Sequence, residues 1–282
     1  MAPPSFGDLG KDASDLFSRD YTFGSVKAEI KSKTSTGVEL KTTGNHDMET
    51  GRAAGDLETK YVFKDYGITF TEKWKTSNVV TAEVAIEDKL VKGLKNSLEA
   101  NFEPNTGKKS AKVKNGFKSS NANLGLDLEF KSNLPTLVGS GVFGYQNFFG
   151  GVNVGYDTER QKLTKLNYGV AYKLKDFCLY AGVENGTNFS GSVYQKLSES
   201  LETGVKLGWS SSSHATDFGV ATKYKLEGDS FFKFKVDNNS MIGSAYSFKV
   251  NDGVRVTLCG NFDGKNINGG GHRLGLALSF DS

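Results

Sequence analysis

Apolar and polar residues alternate along most of this chain. In 124–131, Leu124, Leu126, Leu128 and Phe130 share one parity, and Gly125, Asp127, Glu129 and Lys131 the other. The same dyad period runs through 26–33 (Val26, Ala28, Ile30 against Lys27, Glu29, Lys31, Lys33) and 57–64 (Leu57, Thr59, Tyr61, Phe63 against Glu58, Lys60, Lys64). It returns in 201–209 and in 273–280, where Leu274, Leu276, Leu278 and Phe280 oppose Arg273, Gly275, Ala277 and Ser279. A period of two is that of a β-strand with one apolar face. Thr36-Gly37, Asp65-Tyr66-Gly67, Asn105-Thr106-Gly107, Glu184-Asn185-Gly186, Asn251-Asp252-Gly253 and Asp263-Gly264 punctuate the pattern as turns. They leave runs of about ten residues, the length a strand tilted about 45° needs to cross a bilayer. In 67–75, GITFTEKWK, the apolar parity of Ile68, Phe70 and Trp74 also carries an acid, Glu72.

The polar face decides the fold class. A β-sandwich also alternates, but its apolar faces meet in a core. Here almost every strand has one aliphatic or aromatic face and one rich in Lys, Glu, Asp, Ser and Gly. A closed barrel of about eighteen such strands has a lumen too wide for side chains to fill. Polar faces then line water, apolar faces meet lipid, and closure pairs every backbone group, as hydrocarbon requires. A barrel with its apolar face inward around a ligand needs only about eight strands. The pattern therefore predicts an all-β transmembrane barrel over 24–282, preceded by a segment over 1–23. In that segment Phe6, Leu9, Ala13, Leu16 and Phe17 recur at helical spacing, with Lys11, Asp12, Ser14, Asp15 and Arg19 between them. This predicts an amphipathic helix over 5–20, too short to span a membrane. It lies on the membrane surface, caps the barrel, or sits in the lumen; its acids, among them Asp8, Asp12 and Asp15, argue against adhesion to an anionic surface.

Composition changes the picture little. The chain has 282 residues, 37% hydrophobic, with 34 Gly and 4 Pro, and a net charge of +3. No apolar run is long enough for a transmembrane helix. The first residues lack a basic region followed by an apolar one, and Asp8, Asp12 and Asp15 lie where a mitochondrial presequence avoids acids, so no cleaved leader is expected. Cys178 and Cys259 have neither metal nor redox spacing and read as reduced structural thiols. His46, His214 and His272 are far apart, no nucleophile–base set appears, and Gly269-Gly270-Gly271 precedes a strand rather than opening a helix. No enzymatic activity, cofactor, metal or nucleic-acid partner is expected. The chemistry is electrostatic: on the polar parity lie Lys27, Lys31, Lys60, Lys112, Lys114, Lys118, Lys233 and Lys235, with Lys33, Lys73, Lys95, Lys173, Lys206, Lys223 and Arg273. Glu29, Glu39, Glu58, Glu83, Glu99, Asp127, Glu129, Glu184 and Glu202 share that face. A wide, mildly positive lumen concentrates anions weakly.

The chain resembles the mitochondrial voltage-dependent anion channels, the eukaryotic porins. The likeness runs the full length: PPSFGDLGKDASDLF at 3–17, LETKY at 57–61, YGITFTEKW at 66–74, GLK at 93–95, PNTGKK at 104–109, VYQKLSESLETGVKLGW at 193–209 and DGKNINGGGHRLGLALSF at 263–280. The resemblance, not the spacing, implies the count known for this family, about 19 strands, with the first and last in parallel. It also implies that the helix lies inside the lumen, with Lys11, Asp15 and Arg19 in the water path. It implies a voltage-gated, weakly anion-selective pore of the mitochondrial outer membrane passing ions, ATP, ADP, NADH and small metabolites. Nucleotide contacts carry over to Gly93, Leu94 and Lys95, to Lys11 and Arg19, and to Ser240, Ile242 and Gly243. Ser14 stands where many relatives have a further basic residue, which weakens a helix-borne phosphate site. Arg273, Gly275, Leu278 and Phe280 match the C-terminal signal read by the outer-membrane sorting machinery. Glu72 matches a lipid-facing glutamate linked to regulation by partners, and on this chain it reads as an unpaired acid in the wall. The resemblance further implies membrane lipids, further copies of the chain, and hexokinase-like and apoptosis-regulator proteins as partners. Two other readings remain: a polypeptide-import pore of the same membrane, and a β-barrel module binding lipid or protein.

Overall fold

A computed structural model describes residues 2–89, 91–131 and 134–281. After a short 3₁₀ turn (Phe6–Asp8) and one helix, α1 (Lys11–Ser18), the chain forms strands throughout. The first eight are β1 Ser25–Lys33, β2 Glu39–Asp47, β3 Ala53–Phe63, β4 Ile68–Lys75, β5 Val80–Glu87, β6 Leu94–Glu103, β7 Lys108–Lys118 and β8 Ala122–Phe130. Next come β9 Thr136–Tyr145, β10 Phe148–Asp157, β11 Lys162–Lys173, β12 Phe177–Glu184, β13 Asn188–Lys196 and β14 Leu201–Ser210. The last are β15 Thr216–Lys225, β16 Phe231–Asp237, β17 Met241–Asn251, β18 Val254–Asp263 and β19 Arg273–Asp281. All the turn signals read from the sequence fall between strands or at strand ends.

Each strand pairs antiparallel with the next, and the 19-stranded sheet closes on itself through β1 and β19. That closing pair is parallel, running from Val26 opposite Leu276 to Lys31 opposite Asp281. An odd number of meandering strands brings the first and last into the same direction, so the parallel seam follows from the count. Closure leaves no edge strand with unpaired N–H and C=O groups.

Register keeps the two faces apart all the way round. Lys112 stands opposite Glu99 on one side and Glu129 on the other, and Lys114 opposite Asp127. Their neighbours Val113, Leu98 and Leu128 line up on the other face. That second face is bare: Leu274 is 63% exposed, Phe143 62% and Val170 60%. Few hydrophobic side chains are buried, and those that cluster do so around Leu9, Val142, Phe149 and Ala171. A sheet of this size with so large an exposed apolar surface has no core of its own, and its apolar side needs a hydrocarbon solvent. The sequence expectation of apolar residues outside and ionisable ones inside therefore matches the observed alternation.

Candidate functional site

The lumen is defined by what the N-terminal segment touches. The helix expected over 5–20 is shorter and divided. Gly10, in the left-handed region at φ 73°, separates the 3₁₀ turn from α1. A side chain there would also meet Tyr180, its Cβ falling 2.6 Å from the ring. The break lets Leu9 turn into the wall: with Phe6 it packs on Val142, Phe149, Ala171 and Tyr180, all on the polar parity of β9 to β12. Ala13 and Leu16 are buried on the same side of α1, whereas Lys11 and Arg19 remain exposed. The helix thus lies inside the barrel, apolar stripe to the wall, charges to the water.

Polar ties fix it there. Lys173 of β11 donates to the Asp12 carboxylate at 2.5 Å. From β16, Lys233 donates to the carbonyls of Asp15 (2.9 Å) and Arg19 (2.6 Å), and Lys235 donates to that of Phe17 (2.6 Å). Asp15 and Phe17 lie in the last turn of α1 and Arg19 caps it; the Asp15 carbonyl also accepts from the Arg19 N–H at 3.2 Å, and the helix end is negative. Both ammonium groups also approach the Tyr21 ring, at 4.9 and 4.2 Å. Burial pushes the Tyr21 phenol well above its usual range. Beyond it, the Thr22 N–H donates to Cys259 Sγ and the Gly24 N–H to the Leu274 carbonyl, delivering the chain to β1. Gly275 permits this path, because any side chain there would overlap the Thr22 carbonyl.

Charge is not spread evenly over the wall. On β1 to β8 most lumenal lysines sit among carboxylates. Lys31 and Lys41 share Glu29 (3.0 and 3.5 Å), Lys60 faces Glu39 (3.6 Å), and Lys73 lies between Asp56 and Glu58. Lys95 meets Glu87, Lys112 meets Asp127 and Glu129, and Lys114 meets Glu83 and Glu99. On β14 to β18, by contrast, Lys206, Lys223, Lys235 and Arg255 have no carboxylate within 4.0 Å among the described residues.

The family model described as Eukaryotic porin matches residues 2–275. The chain belongs to the eukaryotic porins. Among its relatives, the non-selective voltage-gated ion channel VDAC2 of Meleagris gallopavo is 46% identical over 280 residues, 99% of this chain and 95% of that one. VDAC2 of Xenopus laevis is 46% identical and human VDAC1 43%, each alignment covering 99% of both chains.

Within this porin the residues singled out from sequence take distinct places. Lys27, Lys31, Lys60, Lys112 and Lys114 lie on the compensated wall, Lys27 3.7 Å from Glu29. Lys118 ends β7 on the same face. Lys233 and Lys235 are on the lumenal face too, yet Lys233 is only 2% exposed, because the helix covers it. Lys11 and Arg19 hold ion pairs with Asp8 and Asp15. Gly93 occupies the turn before β6; Leu94 points to lipid opposite Phe117, and Lys95 points inward. Ser240 precedes β17, Ile242 faces lipid opposite Phe262, and Gly243 faces inward against Lys235 and Phe23. Arg273 starts β19 on the lumenal parity and reaches Glu49 of the β2–β3 turn at 2.7 Å, while Leu278 and Phe280 face out. Glu72 lies on the outer face between Thr59 and Ala82, but it is not unpaired: Trp74 Nε1 donates to its carboxylate at 2.8 Å. Arg255 and Phe231 escaped the sequence reading. The VRVT parity of 254–257 could have found Arg255; that Phe231 takes the lumenal parity next to Lys233 needed the register of β16.

Proposed function

We propose that this porin is a voltage-gated, weakly anion-selective diffusion pore of the mitochondrial outer membrane, passing ions, ATP, ADP and small metabolites. The observation that carries the reading is the closed 19-stranded ring with ionisable side chains inside and bare apolar ones outside. A ring of this size encloses water rather than side chains, and the helix narrows it along β9 to β16. Anions gain because four lumenal cations without a carboxylate partner among the described residues, Lys206, Lys223, Lys235 and Arg255, lie together on β14 to β18. The gain is small because the β1–β8 wall is neutralised in pairs and the rest is screened within about 8 Å at physiological salt. Permeation needs no bond making; nucleotides and NADH pass as solutes drawn by the local field.

Voltage acts on whatever charge moves, about 2.3 kcal/mol per elementary charge per 100 mV. Moving the helix would carry its own charges and also uncover Lys233 and Lys235, changing the field along the pore. The lipid-facing Glu72–Trp74 pair is the surface through which lipids, further copies or regulatory proteins bias the wall.

Planar-bilayer recording across a salt gradient tests the reading. A large conductance, a reversal potential of the sign for anion preference, and closure at both polarities are expected. Absence of conductance, or preference for cations, would overturn it.

A further inference from the structure

Between the C-terminal end of α1 and β14–β18 the lumenal wall holds a recess of about 650 Å³. Its charges nearly all cancel locally. Lys225 pairs with Glu202 (3.1 Å), Lys249 with Asp229 (2.6 Å), and Arg19 with Asp15 (3.9 Å). Lys233 is engaged by the helix carbonyls and Asp20, and Asp12 by Lys173. Two cations are left over, Lys223 and Arg255, and both approach one ring. Lys223 Nζ is 4.7 Å and Arg255 Cζ 6.0 Å from the centroid of Phe231. Lys223 has no anionic partner within 4.0 Å among the described residues. Arg255 donates from Nη1 to neutral acceptors only, the Asp229 carbonyl (3.0 Å) and Ser247 Oγ (3.3 Å). A guanidinium has five N–H donors in a fork suited to phosphate. Its remaining donors, and the ammonium of Lys223, keep their capacity.

From this we propose that the recess is a discrete binding station for a phosphorylated small molecule, with the phosphate bridging Lys223 and Arg255 beside Phe231. The phosphate oxygens replace the ring as partner of the two cations, forming charge-assisted hydrogen bonds stronger than a cation–ring contact. The volume suits a metabolite-sized ligand. Lys225, Lys249 and Arg19 stay with their own carboxylates, so specificity rests on two residues and not on the general positive field. The station lies in the permeation path and therefore rests on the pore reading: occupied, it would slow anion passage and retain phosphorylated permeants near the helix.

The test is single-channel recording with inorganic pyrophosphate as probe, added to a fixed potassium chloride background. Wild type is expected to show a saturable fall in conductance. Lys223→Gln and Arg255→Gln each weaken the apparent affinity about tenfold, the loss of one charge-assisted contact. The double variant weakens it by less than the product of the two, since both cations hold the same group. Lys223→Arg retains block. Lys41→Gln removes one lumenal charge from the compensated wall and leaves block unchanged. Equal weakening by Lys41→Gln, strictly multiplicative effects, or no saturable block in wild type would each overturn the station. Open conductance in potassium chloride, measured first for every variant, separates this outcome from failure of the pore reading, because a variant or wild type that conducts normally has kept its barrel.

Discussion

Lys233→Met should release the N-terminal helix while leaving the barrel intact. Lys233 makes two bonds to α1, at 2.9 and 2.6 Å, and is 2% exposed. Hydrogen bonds to charged groups are worth about 1.5–3 kcal/mol each. Against this stands the loss of water around a nearly enclosed ammonium, several kcal/mol in real proteins. Methionine keeps much of the volume and removes both terms, but it leaves the Arg19 carbonyl without a donor and the Asp15 carbonyl with the Arg19 N–H alone. Arg19 is exposed, so its carbonyl can be rehydrated; that of Asp15 is more enclosed. A net loss of about 2 kcal/mol in docking follows, a shift of about 30-fold toward the undocked state. α1 has eight residues, fewer than the about 12–15 an isolated helix needs. Once undocked it loses its helical hydrogen bonds, and amide exchange reads this directly. In lipid nanodiscs, exchange at 14–19 should accelerate about 30-fold in Lys233→Met and less in Lys235→Met, which removes a single bond to Phe17. Amides of β3 to β7, far from the helix, should not change. Unaltered exchange at 14–19 would refute the clasp. Faster exchange across all strands would show that Lys233 holds the barrel and not the helix.

Other perturbations have equally definite outcomes. Gly10→Ala places a side chain at φ 73° and against Tyr180; it should cost more than about 1 kcal/mol of helix docking, read as altered voltage closure with an unchanged thermal transition of the barrel. Glu72→Gln keeps an acceptor for Trp74 Nε1, so open-channel conductance should remain that of wild type; a marked fall would mean that this outer position shapes the pore. Asp8 is held below the usual carboxylate range by bonds from the Ser5 hydroxyl and Lys11, of which the first is the larger influence. A depressed carboxylate stabilises the folded turn above its unfolded value and loses that contribution as pH falls through its folded value. Protection of 5–9 should therefore be flat from neutral pH down to the unfolded carboxylate range, and should fall only below it; a change near neutrality would contradict this.

Strand identity and facing were legible because lipid and water impose opposite demands on successive residues. Lys112, Lys114, Asp127 and Glu129 needed only their parity to be placed. The parity of the strand count was not legible, since nothing local distinguishes a parallel seam at Val26–Leu276 from an antiparallel one. The helix was legible as an amphipathic segment but not in its break: Gly10 reads as a flexible join, and only its contact with Tyr180 fixes the left-handed turn there. Lys233 shows the limit most clearly. On sequence it is one more lumenal lysine, like Lys112. Its burial depends on a segment more than two hundred positions away settling over β16.

That difference has a consequence for how the pore's field should be read. Counting lumenal lysines against lumenal acids treats every cation as equal, yet three kinds are present. Lysines such as Lys112 are neutralised within hydrogen-bond distance and contribute little beyond a few ångströms. Lys233 is bound to carbonyls, with the Asp20 carboxylate 3.9 Å away, and is hidden from solutes. Lys223 and Arg255 are both uncancelled and open to the recess. The effective anion preference therefore depends on helix position as well as composition, because docking decides which member of the β16 lysine pair and its neighbours meets the permeating ion. Gly204 of β14 faces the helix, a Cβ there falling 2.9 Å from the Leu16 side chain, so a channel locked with α1 docked by a disulfide between cysteines introduced at these two positions should keep its anion preference at all voltages. The unlocked channel should change preference on closure. Equal preference in both would place the selectivity on the wall alone.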